Sequence, residues 1–125
     1  MANEIQISWT ARIVKGSLSL IRAFNAQFTL NAAAPNVAGL TKSIPTTAAG
    51  TALGLGSVAT NGVGYFVNTD AANYVELGIQ QGGTFYPFLR LNAGEGFPVR
   101  VAQGVAPYAR ANTAAVVLEY AICDD

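Results

Sequence analysis

Residues 74–91 read YVELGIQ, QGG and TFYPFLRL, and this stretch decides the predicted fold. Tyr74–Gln80 and Thr84–Leu91 are short runs rich in β-branched and aromatic residues, which favour strands. The intervening Gln81–Gly83 carries two glycines, which suit a tight turn. The pattern predicts two consecutive antiparallel strands and therefore a β-rich protein.

Similar strand and turn signals continue on either side of this stretch. Val63–Asn68 is predicted as a strand and Thr69–Asn73 as a turn. We expect Thr84–Leu91 to pair with Phe97–Ala102 across a turn at Asn92–Gly96. Proline lacks the N–H that a ladder needs, so Pro87 and Pro98 within these two strands predict edge positions or gaps in the ladder.

The C-terminal part completes the predicted architecture. A short strand is expected around Tyr108–Arg110, and a last strand over Ala114–Cys123. In that last strand Val116, Leu118, Tyr120 and Ile122 share one face. Many short strands and no convincing helix predict an all-β, antiparallel β-sandwich or jelly-roll-like single domain spanning 1–125.

The N-terminal part shows the longest clean alternation in the chain. Ile5, Ile7, Trp9 and Ile13 fall in one phase, so we expect this strand to be central to the core. Lys15 and Gly16 supply a break. The next run slips phase at Ile21 and Arg22, which predicts a bulge or a corner where the strand changes sheets.

Residues 31–61 differ from the rest of the chain. They are rich in Ala, Thr, Gly, Ser and Pro, and Lys42 is their one charged residue. Most of this segment is predicted as loop, with short strands near Val37–Ile44 and Ala52–Val58. It is too long for a hairpin connection. Two interpretations remain open: an arm or surface loop that orders against a neighbour, or a weakly patterned part of the sandwich.

The composition indicates an assembly subunit. Charged residues make up 11% of the chain, hydrophobic residues 51%, and the formal net charge is zero. Few charges and no net charge favour association, so we expect a homo-oligomer, with a trimer favoured, whose interfaces use strand faces. Without a basic surplus, specific nucleic-acid binding is not expected.

The sequence offers no targeting signal. No apolar run is long enough to span a membrane, and Met1–Ile7 carries polar residues where a signal peptide would be basic and then apolar. Synthesis in a cytoplasm is therefore expected, with no membrane partner. Cys123 is the only cysteine, and we interpret it as a small apolar residue on a strand.

Catalytic equipment is sparse. The chain contains no histidine, the commonest general base and metal ligand near neutral pH. Gly54–Ala59 matches a dinucleotide-turn pattern, but it lacks the expected strand, helix and acidic residue around it. Lys15 and Lys42 could replace a histidine base, yet neither stands in an S-x-x-K spacing. A cupin-type metal site lacks its histidines.

Paired carboxylates remain the one enzymatic alternative. Asp70, Glu76, Glu95 and Glu119 would have to converge in pairs on one cleft, and Asp70 and Glu95 both lie on predicted turns. Gly94–Glu95–Gly96 has a composition typical of a turn between two strands. A solvated role is expected for each carboxylate. We therefore predict that the chain is not an enzyme and assign it no catalytic, cofactor-binding or metal-binding residue.

Aromatic residues suggest a second class of function. A platform for sugar rings could be formed by the following residues: Tyr65, Phe66, Tyr74, Phe85, Tyr86 and Phe88. Aromatic side chains on strands more often belong to a core or a subunit interface, and we favour that interpretation.

Four stretches of the second half carry a family resemblance: GYFVN at 64–68, NYVELG at 73–78, FYPFLRLNAGE at 85–95, and ANTA at 111–114 leading to LEY at 118–120. They resemble the small β-sandwich virion structural proteins of tailed bacteriophages, of the capsid decoration (cement) or head–tail accessory type. The resemblance covers about half of the chain, and 44–47 (IPTT) is a weaker match before it.

This resemblance implies a non-enzymatic virion protein without cofactors. The expected function is capsid decoration, which stabilises the head by binding the lattice of the major capsid protein. Its expected partners are copies of itself and the major capsid protein or another virion protein, and its expected location is the virion. The alternative is a carbohydrate- or receptor-binding module of a phage tail or fibre, with the aromatic regions around Tyr74 and Tyr86 as the binding site.

Overall fold

The computed structural model describes residues 4–32 and 36–125, which form strands and connecting turns without a helix. Expectations that involve Met1–Asn3 or Pro35 lie outside the described residues. The strands are β1 (Ile5–Lys15), β2 (Leu18–Phe28), β3 (Val37–Ile44), β4 (Thr51–Ala52), β5 (Asn61–Asn68), β6 (Val75–Gln81), β7 (Thr84–Leu91), β8 (Gly96–Arg100), β9 (Tyr108–Ala111) and β10 (Val116–Asp124). The chain divides into two compact units, Met1–Ala33 and Ala34–Asp125.

The first unit is an antiparallel hairpin of β1 and β2. Its register runs from the pair Ile5 and Phe28 to the pair Lys15 and Leu18 without a shift. Gly16 supplies the positive φ of +58° that the turn requires. At the open end, the backbone N–H of Leu30 donates to Oε2 of Glu4 at 3.3 Å.

Two expectations for this region are wrong. The continuous register means that the phase change at Ile21 and Arg22 is not a bulge, because these residues simply occupy opposite faces of β2. Nor is β1 central to the core: among residues 4–32 and 36–125 its one ladder partner is β2, Trp9 is 40% exposed, and the buried core cluster consists of residues from other strands. The alternating pattern correctly indicated that one face of β1 is apolar, but it does not indicate what covers that face.

The second unit consists of two antiparallel four-stranded sheets, in the orders β3-β10-β5-β8 and β4-β9-β6-β7. Side chains from both sheets form one buried cluster, which includes Ile44 and Leu118 from the first sheet and Val75 and Leu91 from the second. The antiparallel sandwich architecture is therefore confirmed. In β10 the residues predicted to share one face, Val116, Leu118, Tyr120 and Ile122, are all buried.

Strand pairing in the sandwich is nested. The first strand, β3, pairs with the last, β10; β4 pairs with β9; β5 pairs with β8; and β6 pairs with β7. Strands distant in sequence therefore lie side by side. Across the two sheets, Lys42 on edge strand β3 donates from Nζ to the carbonyl of Ala52 on β4 at 2.7 Å.

The predicted pairing of Thr84–Leu91 with Phe97–Ala102 is wrong. β7 pairs with β6, whereas β8 pairs with β5 in the other sheet. The connection at 92–95 crosses between sheets because the backbone of Asn68 binds it: Asn68 N–H donates to Glu95 O at 2.8 Å, and Gly94 N–H donates to Asn68 O at 3.0 Å. The expectation for Pro87 and Pro98 is confirmed, since β7 and β8 are both edge strands.

The segment at 36–61 belongs to the second unit. Val37–Ile44 forms strand β3 over its predicted bounds and pairs with β10 along its whole length. The second expected strand, Ala52–Val58, is reduced to the end of the two-residue β4, and residues 53–60 connect it to β5. Of the two interpretations left open, the structure places the described part of this segment in the sandwich rather than in an arm.

Candidate interaction surfaces

The hairpin is amphipathic. Because opposite residues of an antiparallel pair share a face, the register defines two sets of side chains. One set, which we call the hairpin apolar face, comprises Ile5, Ile7, Trp9, Ala11, Ile13 and Lys15 with Leu18, Leu20, Arg22, Phe24, Ala26 and Phe28. The opposite face carries Gln6, Ser8, Thr10, Arg12 and Val14 with Ser19, Ile21, Ala23, Asn25 and Gln27.

Exposure increases towards the turn of the hairpin. On the apolar face, Ile7 and Phe24 are half-buried, whereas Ile13 is 50% and Leu20 54% exposed. Arg22 is the one charged residue on this face away from the turn, opposite Ala11. An isolated two-stranded hairpin is at best marginally stable in water. The exposed apolar face is therefore a candidate interaction surface.

The outer faces of the two sandwich sheets differ in charge. On the β4-β9-β6-β7 sheet, Glu76 lies between Arg90 and Arg110 in the register of three adjacent strands. Arg110 Nη2 is 3.1 Å from Glu76 Oε1, and the Arg90 guanidinium lies 3.6 Å from the ring centroid of Tyr74. A row of charges across three strands is typical of a sheet face that meets solvent.

The outer face of the β3-β10-β5-β8 sheet has few charges. It is defined by alternation with the buried residues of β10 and by register, and it comprises Val37, Thr41, Ser43, Tyr65, Val67, Pro98, Val117, Glu119, Ala121 and Cys123. We call this set the low-charge face. Arg100, at its end on β8, is paired with Asp125 at 2.8 Å. Glu119 is thus the single carboxylate within the face.

Glu119 occupies a central place on this face. It lies on β10, and its neighbours across the ladder are Thr41 on β3 and Val67 on β5. The hydroxyl of Tyr65 donates to Glu119 Oε1 at 3.4 Å. The pKa of Tyr65 is raised, first by desolvation and then by the negative charge of Glu119. Val117, on the same face, is 46% exposed. The face combines accessible apolar surface with one anionic group.

A third apolar surface lies between the two edge strands β7 and β8. A cavity of about 340 Å³ is lined by Leu77, Ile79, Phe88, Leu89, Val99 and Val101 with six further residues. Phe88 lies at the bulge opposite the step from Leu77 to Gly78 and is 74% exposed. Tyr86, opposite Ile79, is 51% exposed. We call Ile79, Tyr86 and Phe88 the aromatic edge.

The six aromatic residues considered for sugar binding do not form one platform. Phe66 and Phe85 are buried, in agreement with the core interpretation. Tyr74 lines a polar pocket of about 370 Å³ with Glu76, Arg110, Asn112 and Thr113. The Arg90 guanidinium covers one face of the Tyr74 ring. Tyr65 lies on the low-charge face, and Tyr86 and Phe88 lie on the aromatic edge.

The four candidate carboxylates are bound to separate local partners. Asp70 Oδ1 accepts from the N–H groups of Ala72 (2.8 Å) and Asn73 (2.7 Å), which lowers the pKa of Asp70. Glu95 Oε2 accepts from Asn92 N–H at 2.8 Å and closes the 92–95 turn. Glu76 and Glu119 lie on the outer faces of different sheets. Their local roles account for each carboxylate without a shared cleft.

Other candidates also have structural roles. Gly54–Ala59 connects β4 to strand β5 instead of opening a helix, and the Gly54 carbonyl accepts from Tyr120 Oη at 2.9 Å. Cys123 is half-buried on the low-charge face, and burial raises the pKa of its thiol. Lys42 bridges the sheets, and Lys15 lies at the hairpin turn.

Sequence reasoning missed the hairpin apolar face as a surface. The available signal was the matched alternation of two runs joined at Lys15 and Gly16, which can form a hairpin without any further strand. It also missed the low-charge face, although the alternation of β10 that groups Val116, Leu118, Tyr120 and Ile122 leaves Ala115, Val117, Glu119, Ala121 and Cys123 together on the other face. That set contains a single charged residue.

Across residues 4–32 and 36–125, the structure contains no cluster of three or more metal-ligating side chains. Nor does the described part of the chain include a helix long and apolar enough to cross a membrane. Comparison of the sequence and structure with family models, curated proteins and solved structures found no match.

Proposed function

We propose that this chain is a structural subunit of a tailed-phage particle, most specifically a capsid decoration protein that self-associates and binds the major capsid lattice. The phage assignment rests on the resemblance of the stretches within 64–120 described above. The self-associating role rests on the exposed surfaces of the two units.

The hairpin apolar face is the observation that carries the proposal. Ile13, Leu18 and Leu20 are each at least 50% exposed on one face of a two-stranded sheet. At about 25 cal/mol per Å² of apolar surface removed from water, covering such a face contributes several kcal/mol to association. In an assembly, a neighbouring subunit would cover this surface and remove it from water.

The strand pairing adds support at the level of fold. Counting β3–β10 as eight strands, the first pairs with the last, the second with the seventh, the third with the sixth and the fourth with the fifth. We interpret this nested order as a jelly roll, an architecture that viral capsid proteins share with lectins. This is an analogy of fold, and folds host many functions.

Sedimentation and capsid binding test the proposal together. We expect the purified chain to sediment as a trimer or other closed oligomer at micromolar concentrations. We also expect it to bind empty capsids of its phage and to raise their melting temperature. A chain that remains monomeric at every concentration and ignores capsids would overturn the proposal.

Two adjacent substitutions locate the surface. Leu20→Ser changes the hairpin apolar face, whereas Ile21→Ser changes the opposite face at a similarly exposed position. Leu20→Ser should weaken oligomerisation or capsid binding about tenfold or more, as expected when a well-packed interface residue is truncated. Ile21→Ser should have a much smaller effect. Equal effects of the two variants would contradict the role of the apolar face.

A further inference from the structure

We infer that the hairpin apolar face of one copy docks on the low-charge face of a second copy, with Arg22 of the first copy opposite Glu119 of the second. This inference rests on the proposed self-association. It identifies the partner surface, which the proposed function leaves open.

Net charge separates the two units. Hairpin residues 4–32 contain three basic residues, Arg12, Lys15 and Arg22, and one acidic residue, Glu4, for a net charge of +2. Sandwich residues 36–125 contain four basic and six acidic residues, for a net charge of −2. Two hairpins therefore repel each other weakly, while a hairpin and a sandwich attract. Complementary charge of this kind selects the partner and the register of an interface.

The complementarity extends to the two faces. Arg22 is the cation within the hairpin apolar face away from its turn, and Glu119 is the carboxylate within the low-charge face. A lone charge buried by apolar contacts is costly unless it meets an opposite charge. Placing these two residues opposite each other satisfies both charges. The aromatic edge has no comparable anion: the charged residue in its cavity is Arg100, which is already paired with Asp125.

The low-charge face is wide enough to receive the hairpin. Strands of the length of β1 and β2 span about 36 Å and together about 10 Å in width, and the four-stranded sheet is about 19 Å wide. Docking then covers roughly 400 Å² on each face. When two copies exchange hairpins reciprocally, each subunit loses about 800 Å² to the same partner, the area typical of a stable interface. In a larger ring, each contact buries about half of that area per subunit. Sheet faces stack in this way in sandwiches.

A charge exchange tests the pairing in the full-length chain. Arg22→Glu and Glu119→Lys, each alone, should weaken self-association about tenfold or more in sedimentation equilibrium. The double variant should recover to within about threefold of the parent, because the pair is restored with its signs exchanged. Arg12→Glu, on the opposite hairpin face, is the matched control and should have a much smaller effect. Glu119→Gln, which keeps the shape of the side chain, should also weaken association if Glu119→Lys fails to fold.

Each other outcome has a distinct meaning. If each charge change weakens self-association and the double variant is weakened by the sum of both effects, the pairing of Arg22 with Glu119 is overturned. The proposed function is unaffected by that result. Association lost in Phe88→Ala but retained in both charge variants would assign docking to the aromatic edge and also overturn the pairing. If the chain stays monomeric and the effects of the two charge changes on its stability are not additive, Arg22 and Glu119 interact within one chain. That result would overturn the pairing between copies. Absence of any self-association overturns the pairing, and absence of capsid binding as well contradicts the proposed function itself.

Discussion

Trp9 and Phe24 stack across the hairpin, with their ring centroids 5.5 Å apart and their planes 23° from parallel. The two residues are directly opposite in the register of β1 and β2. Aromatic cross-strand pairs contribute beyond the area that they bury. This pair therefore stabilises the hairpin itself, while the sandwich core is formed by other residues.

Trp9→Ala should consequently separate folding from assembly. We expect the free energy of unfolding of the sandwich, followed by the near-UV signal of its tyrosines, to change by less than about 1 kcal/mol. Self-association should weaken, because the variant removes the largest side chain of the hairpin apolar face. Denaturant unfolding and sedimentation of the same preparation measure the two effects.

Leu118→Ala is the control for that prediction. Leu118 is fully buried in the sandwich core, so its truncation should cost about 2–5 kcal/mol. A cost of that size for Trp9→Ala would contradict the prediction that Trp9 does not contribute to the stability of the sandwich.

The sequence predicted the elements of the sandwich better than their partners. The alternation in β10 and the prolines of β7 and β8 are local signals. The first correctly grouped four residues on one face, which is buried, and the second correctly indicated edge strands. The sheet to which β7 belongs depends on Asn68, whose backbone binds the 92–95 turn from a distant strand. No local pattern encodes that contact.

The candidate surfaces were predictable in part. Alternation in β10 grouped Val116, Leu118, Tyr120 and Ile122 on one face, and the residues between them belong to the low-charge face. What covers the hairpin apolar face could not be predicted from the sequence. An alternating strand shows the same pattern whether its own chain or a neighbouring molecule covers its apolar side.

The hydrogen-bonded carboxylate of Asp124 leads us to expect that the protein loses stability in acid. It is buried, and Oδ1 accepts from the N–H groups of Thr60 (2.8 Å) and Ala59 (3.0 Å), while Oδ2 accepts from Asn36 Nδ2 (3.3 Å). These bonds, that from Thr60 first, hold the pKa of Asp124 below its ordinary value. A lowered folded-state pKa stabilises the protein above the unfolded-state pKa, and this contribution is lost as the pH falls through the folded-state value.

Asp124→Asn tests this contribution. Urea unfolding should show stability falling between about pH 5 and about pH 2 in the parent chain and a shallower fall in the variant. The variant should also be less stable than the parent near neutral pH, because the charge-assisted bonds to Thr60 and Ala59 are weakened. Parallel pH profiles of parent and variant would show that Asp124 does not contribute.

Gly64 should tolerate no side chain. It lies on β5 between β10 and β8, and a Cβ at this position would overlap the carbonyl oxygen of Ala121. We expect Gly64→Ala to destabilise the sandwich by about 1–3 kcal/mol, the usual cost of overpacking, or to prevent folding. Gly54→Ala is the control, because its Cβ would meet only Tyr120 Oη at 3.9 Å. Thermal melts of the two variants should differ clearly, and equal melting temperatures would contradict the predicted clash.

The side chain of Asn68 joins the 69–73 turn to the end of β7 and should be a sensitive polar position of the sandwich. It is fully buried, donates from Nδ2 to the carbonyls of Asn73 (2.8 Å) and Leu91 (3.0 Å), and accepts at Oδ1 from Asp70 N–H (2.9 Å). Asn68→Ala would remove the partner of these buried and part-buried groups, at a cost of about 2–4 kcal/mol. Asn68→Asp keeps the shape but cannot donate when ionised, so it should destabilise at least as much at neutral pH. Asn25→Ala, at an exposed hairpin position, is the control and should change the free energy of unfolding by less than about 0.5 kcal/mol. An Asn68→Asp variant as stable as the parent would show that the two donated bonds contribute little.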